Sequence, residues 1–167
     1  MTPMIKMSVA VLASAILFTA APWFAHAATG PEVVVDLQVQ KVVRQKDGAE
    51  TMVDGQAGPG DTLEYRATYT NRGAAPARGV LATLPVPPDG MEYVDASAAP
   101  AKVLASLDGK QFAPAPLQRV VVLPDGSRKS EAVPASEYRF LRWNLGDLDA
   151  GKSVVVRSRM RLIGAPR

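Results

Sequence analysis

The stretch Gly58-Pro59-Gly60-Asp61-Thr62-Leu63-Glu64-Tyr65-Arg66-Ala67-Thr68-Tyr69-Thr70-Asn71-Arg72-Gly73-Ala74-Ala75-Pro76-Ala77-Arg78-Gly79-Val80 decides the fold. Gly58-Pro59-Gly60-Asp61 is turn chemistry, because glycine reaches positive φ without steric cost and proline presets its own φ. Leu63, Tyr65, Ala67 and Tyr69 then alternate with Glu64, Arg66, Thr68 and Thr70. A period of two places the first set on one face and the second on the other, the pattern of a strand with one dry and one wet side. Asn71-Arg72-Gly73 closes the run with a turn, and a second strand begins near Gly79.

The same pattern continues in both directions. On the N-terminal side, Val33, Val35, Leu37 and Val39 share one face of a strand, with Asp36, Gln38 and Gln40 on the other. Asp47-Gly48 is a hairpin signal, since both residue types tolerate positive φ, and Glu50–Val53 is the returning arm. On the C-terminal side, Gly79–Leu84 returns as a strand stopped by Pro85, Pro87 and Pro88, which forbid a central position in a sheet. Further extended runs are predicted at Met91–Ser97 and at Lys102–Leu107, the latter turning at Asp108-Gly109 to a short arm at Lys110–Phe112. Leu117–Leu123 pairs with Arg128–Val133 through Asp125-Gly126.

In Tyr138–Leu145, Leu141, Trp143 and Leu145 share a face opposite Phe140, Arg142 and Asn144, and Trp143 is the expected core anchor by size. The last strand turns Val154, Val156, Ser158, Met160 and Leu162 inward and Val155, Arg157, Arg159 and Arg161 outward. No apolar stripe of helical period spans three turns after residue 27. The expectation is an all-β, immunoglobulin-like β-sandwich of about seven to nine antiparallel strands.

The first residues carry a different signal. Lys6, the apolar run Val9–Ala21 and the small-x-small site Ala25-His26-Ala27 predict a cleaved secretory signal peptide over residues 1–27, with one domain over 28–167. The apolar run is shorter than the about 18 residues that a membrane-spanning helix needs. Export to the periplasm or the exterior follows, with no membrane span after cleavage. Lys6 leaves with the signal, so 19 basic residues become 18 against 16 acidic ones, an ordinary balance with no nucleic-acid footprint.

Cleavage also removes His26, the only histidine, and the chain has no cysteine. Ser-His-Asp and Cys-His nucleophilic sites, ordinary zinc and blue-copper sites and haem ligation by histidine all need a side chain that is then missing. No cofactor is implied, and no enzyme is expected.

Three constellations remain as candidates. Arg157, Arg159 and Arg161 make a cationic row about 7 Å apart along one strand face, suited to an anionic glycan or an acidic protein, or simply solvated and protective of a sheet. Asp147 and Asp149, with Asp54 or Asp61, offer oxygen ligands for calcium, although Asp-x-Asp alone falls short of the about six oxygens required. They serve equally as turn formers. Phe140 and Arg142 share an outward face and are the remaining interaction candidates, the other aromatics Tyr65, Tyr69, Tyr93, Phe112, Tyr138 and Trp143 being assigned mostly to the core.

The chain also resembles a known family. Val39-Gln40-Lys41-Val42-Val43, Gly58–Tyr65, Thr70-Asn71-Arg72-Gly73, Leu84-Pro85, Gly90–Val94, Ser106–Phe112 and Arg142–Ser153 are similar, in order, to the bacterial repeat domain called domain of unknown function eleven. That resemblance implies an immunoglobulin-like sandwich of exported and surface proteins, here in a single copy, with no catalytic residues to carry over. Residues 82–83 depart from it, having Ala-Thr where an aspartate or asparagine is common, and residues 114–137 are longer than the usual link.

The function expected is a non-catalytic structural or protein-interaction module of the bacterial cell envelope, its partner another envelope or secreted protein. The alternatives are a domain binding an anionic glycan or a calcium ion and, third, a small hydrolase working with carboxylates alone.

Overall fold

The computed structural model describes residues 30–164. The alternating stretch is the third strand of a nearly all-β domain. In chain order the strands are β1 (Val33–Arg44), β2 (Glu50–Val53), β3 (Thr62–Asn71), β4 (Ala77–Pro85), β5 (Met91–Tyr93) and β6 (Leu104–Ser106). They continue with β7 (Ala113–Pro114), β8 (Gln118–Val122), β9 (Arg128–Ala132), β10 (Phe140–Leu148) and β11 (Ser153–Leu162), with a 3-10 turn at Ala135–Glu137. One sheet runs β2-β1-β3-β11-β5 and the other β4-β10-β6-β7, while β8 and β9 form a hairpin of their own. The paired strands are antiparallel throughout, and the nine strands of the two sheets pack as the expected immunoglobulin-like sandwich.

The inward residues meet between the sheets. Ala67, Tyr69, Val156 and Met160 from the first sheet bury against Ala82, Leu84, Ala105, Leu141, Trp143 and Leu148 of the second. Trp143 is the largest fully buried side chain, and its indole N–H donates to the Pro100 carbonyl at 2.8 Å, so the core anchor also satisfies its polar atom. Pro85 ends β4, an edge strand, as the proline run requires.

Three arms are shorter or shifted. β5 stops at Tyr93, because Ala96 takes a left-handed φ of 57° and Ser97 Oγ donates to the Val94 carbonyl at 2.6 Å, folding Val94–Ser97 into a turn. β6 covers only Leu104–Ser106, and its partner is Ala113–Pro114 instead of Lys110–Phe112. The reason is the Asp108 carboxylate, which accepts the Lys110 and Gln111 amides at 2.8 and 3.0 Å and so commits those donors to the loop.

Asn71 is more than a turn residue. Wholly buried at the end of β3, it accepts the Glu32 and Gly73 amides through Oδ1 and donates through Nδ2 to the carbonyls of Ala75 and Leu148, both at 2.8 Å. All four of its hydrogen-bonding positions are used, joining the start of β1, the β3–β4 turn and the end of β10. Gly73 beside it is obligatory for space, since a Cβ there would lie 2.2 Å from the Gly30 carbonyl oxygen.

Candidate functional site

The outward faces of β3 and β11 hold the predicted arginine row. In the antiparallel register Arg159 stands opposite Glu64, Arg157 opposite Arg66 and Arg161 opposite Thr62. Residues directly opposite share a face, so these side chains meet. Glu64, expected on a wet face, is only 6% exposed, because the arginines close over it. Arg159 Nε lies 3.3 Å from one of its oxygens, and the other receives Arg66 at 3.2 Å and Arg157 at 4.0 Å.

Arg159 also pairs with Glu50 of β2 at 2.8 Å, while Arg161 pairs with Glu92 of β5. The Arg159 hydrogen bond, then that of Arg44, holds the Glu50 carboxyl below its ordinary range. The three predicted arginines are thus brought together with acids that sequence spacing alone does not bring near. Cross-strand register does, and it is invisible in a one-dimensional reading.

Asp147 and Asp149 sit where β10 turns towards β11. Asp147 accepts the Gly79 amide at 3.0 Å with one oxygen and pairs with Arg78 through the other. The Gly79 hydrogen bond, then Arg78, keeps its carboxyl below the ordinary aspartate value. Both oxygens therefore tie β10 to β4 across a bulge. Asp54 accepts from Gln40, and Asp61 from the Gly58 amide and Lys41. Among the described residues no three acidic or other metal-ligating side chains converge.

Phe140 and Arg142 lie on the outer face of β10, as their alternation requires, but in different surroundings. The Phe140 ring lies against Gly109, where a Cβ would come within 2.8 Å of it. Arg142 is half-buried, its guanidinium carbon 3.5 Å from the centroid of the Phe112 ring and its Nε donating to Thr83 Oγ1 at 3.0 Å. Phe112 is therefore a second aromatic outside the core. The β10–β6 register hides this, because Phe112 reaches Arg142 from the loop between β6 and β7.

A further feature is an uncovered apolar flank. Val33, Val35, Leu37 and Val39 stand opposite Asn71, Tyr69, Ala67 and Tyr65 and share their inward face. Yet they are 36%, 54%, 50% and 42% exposed. The Tyr69 phenol meets the Thr83 backbone, so β3 lies over β4. Among the described residues β4 is the last strand of its sheet, and the apolar face of β1 is left half-exposed beyond it. The alternation in β1 identifies the face; only the width of the second sheet determines whether it is covered.

No family model, no curated protein and no solved structure matches this chain.

Proposed function

We propose that the chain is an exported, non-catalytic interaction module of immunoglobulin-like architecture, allied to the repeat domain it resembles. The observation that carries this reading is the flank: four apolar residues on the inward side of β1, half-exposed, beside the unpaired edge of β4. A contiguous apolar face left open by a monomeric fold marks an interaction surface. The open slot is bounded below by the β1 stripe and on one side by the β4 edge, whose backbone groups have no neighbouring strand among the described residues. It fits an extended segment of another envelope or secreted protein, added alongside β4 with alternate apolar side chains laid on Val35, Leu37 and Val39.

The test compares the wild-type protein with Leu37→Lys, both checked for an unchanged melting temperature. Support is a specific envelope protein that binds the wild type through an extended, alternating apolar segment and loses at least about tenfold in affinity to the variant. Equal affinity for both overturns the reading. So does a dimer that Leu37→Lys dissociates, because the flank would then be closed by a second copy.

A further inference from the structure

On the opposite face of the second sheet, β10 runs on past the end of its partner β6, and the connection through Pro100 and Lys102 borders the step. The result is a cavity of about 410 Å³ lined by Pro100, Lys102, Leu104, Arg142, Asn144 and Leu145, with Trp143 beneath. That volume falls within the range of small-molecule sites, about 300–1,000 Å³. The indole hydrogen bond to Pro100 fixes one wall to the core.

Among the described residues Arg142 has no carboxylate partner, as is also true of Arg72, Arg128 and Arg139, whereas Arg44, Arg66, Arg78, Arg119, Arg157, Arg159 and Arg161 each have one. Arg142 is nonetheless held in place by the Phe112 ring on one side and Thr83 Oγ1 at its Nε. This leaves the two terminal nitrogens, the fork that matches a carboxylate or other oxyanion, without an acceptor among the described residues. Lys102, likewise without a carboxylate among them, adds a second positive charge at the rim. Asn144 uses its Oδ1 to accept the Gly146 amide at 2.9 Å, so its Nδ2 remains as a donor. The cavity thus combines several donors without a single acid in its lining, and Leu104 and Pro100 add aliphatic surface.

The geometry points to a binding site for a small carboxylate that carries an apolar group. The carboxylate takes the Arg142 fork with Lys102 at its edge, and the apolar group rests on Leu104 and Pro100. An oxyanion without an apolar group leaves the aliphatic wall wet, and a neutral ligand leaves the guanidinium unmatched. The site lies on the outer face of the second sheet and does not depend on what covers the β1 flank, so either proposal can fail alone.

The test uses protein purified from a secreting host and follows the Trp143 indole N–H resonance, with calorimetry for affinity. The probes are N-acetyl-leucine, its neutral amide, acetate and inorganic phosphate. The expected result is a saturable shift with N-acetyl-leucine, at least about tenfold weaker binding of the amide, acetate and phosphate, and a loss of similar size in Arg142→Gln. Arg142→Lys keeps the charge and loses the fork, and is expected to recover only part of the binding. Lys102→Gln, at an exposed position that folding does not use, weakens it several-fold. No saturable shift with N-acetyl-leucine up to roughly 50 mM overturns the proposal. It is equally overturned by equal binding of acid and amide, by phosphate or acetate binding as well as N-acetyl-leucine, or by full binding in folded Arg142→Gln and Lys102→Gln.

Discussion

Arg66 and Arg157 stand directly opposite one another on β3 and β11, and both turn to the same oxygen of Glu64, at 3.2 and 4.0 Å. Like charges facing across paired strands repel, so this register is tolerated only because a buried carboxylate lies beside them. Arg159 pairs with the second oxygen of Glu64 at 3.3 Å, which offsets the cost of burying the carboxylate. The outer face of the first sheet is therefore a mutually dependent charge network, and the cationic row is largely neutralised within it.

Replacing Glu64 by Gln removes the shared anion and leaves the two opposed guanidinium groups unscreened. Arg66 and Arg157 are 40% and 45% exposed at the side chain, so solvent relieves part of the repulsion and the expected loss is about 2 kcal/mol rather than the larger cost of a fully buried pair. Denaturant unfolding of Glu64→Gln measures it. Adding Arg66→Gln to that variant is expected to restore part of the loss, and a purely additive double mutant would show that the two sites are uncoupled.

Asn71→Ala strips partners from two amides, that of Gly73 buried, and from two carbonyls at once. A loss of about 3 kcal/mol or more is expected, with hydrogen exchange accelerating together at the start of β1 and the end of β10. Asn71→Asp is nearly isosteric, yet it cannot donate to Ala75 and Leu148, so it too is expected to destabilise. Native stability in both variants would remove Asn71 as the tie between the sheets.

Acid is expected to weaken the fold in one step. Glu50, Asp61, Asp108, Asp125 and Asp147 are all held below their ordinary values, by the Arg159 hydrogen bond, the Gly58 amide, the Gln111 and Lys110 amides, the Ser127 hydroxyl and the Gly79 amide respectively. A carboxylate whose folded pKa lies below its unfolded one stabilises fully above the unfolded value and ceases to do so as pH falls through the folded one. The melting temperature should therefore be level from pH 8 to about 5 and decline below about 4. No histidine lies among the described residues, so no transition near pH 6.5 is expected. Asp61→Asn should shallow the acid limb, and a melting curve that falls with rising pH between 5 and 8 contradicts the assignment.

Much of the architecture was legible because alternation is a local property. Leu63, Tyr65, Ala67 and Tyr69 face inward, and so do Leu141 and Trp143, since side-chain direction in a strand follows from residue parity alone. The hairpin through Asp125-Gly126 was legible for the same reason, its turn chemistry lying in adjacent residues. Parity did not reveal that Glu64 is buried, because its cover comes from Arg157 and Arg159, more than ninety positions away in sequence. The loop-borne approach of Phe112 to Arg142 was equally hidden, and with it the cavity that Arg142 lines.

The sequence by itself determined that the chain forms paired strands, which faces of most of them are apolar, and which ordinary nucleophilic and metal chemistries lack their side chains within residues 28–167. The tertiary structure decided which of those faces are covered. β1 and β3 carry the same kind of alternating stripe, but Tyr69 lies over β4 while Val35 lies beyond it. The difference is the number of strands in the opposing sheet, a property of long-range pairing that no single strand encodes.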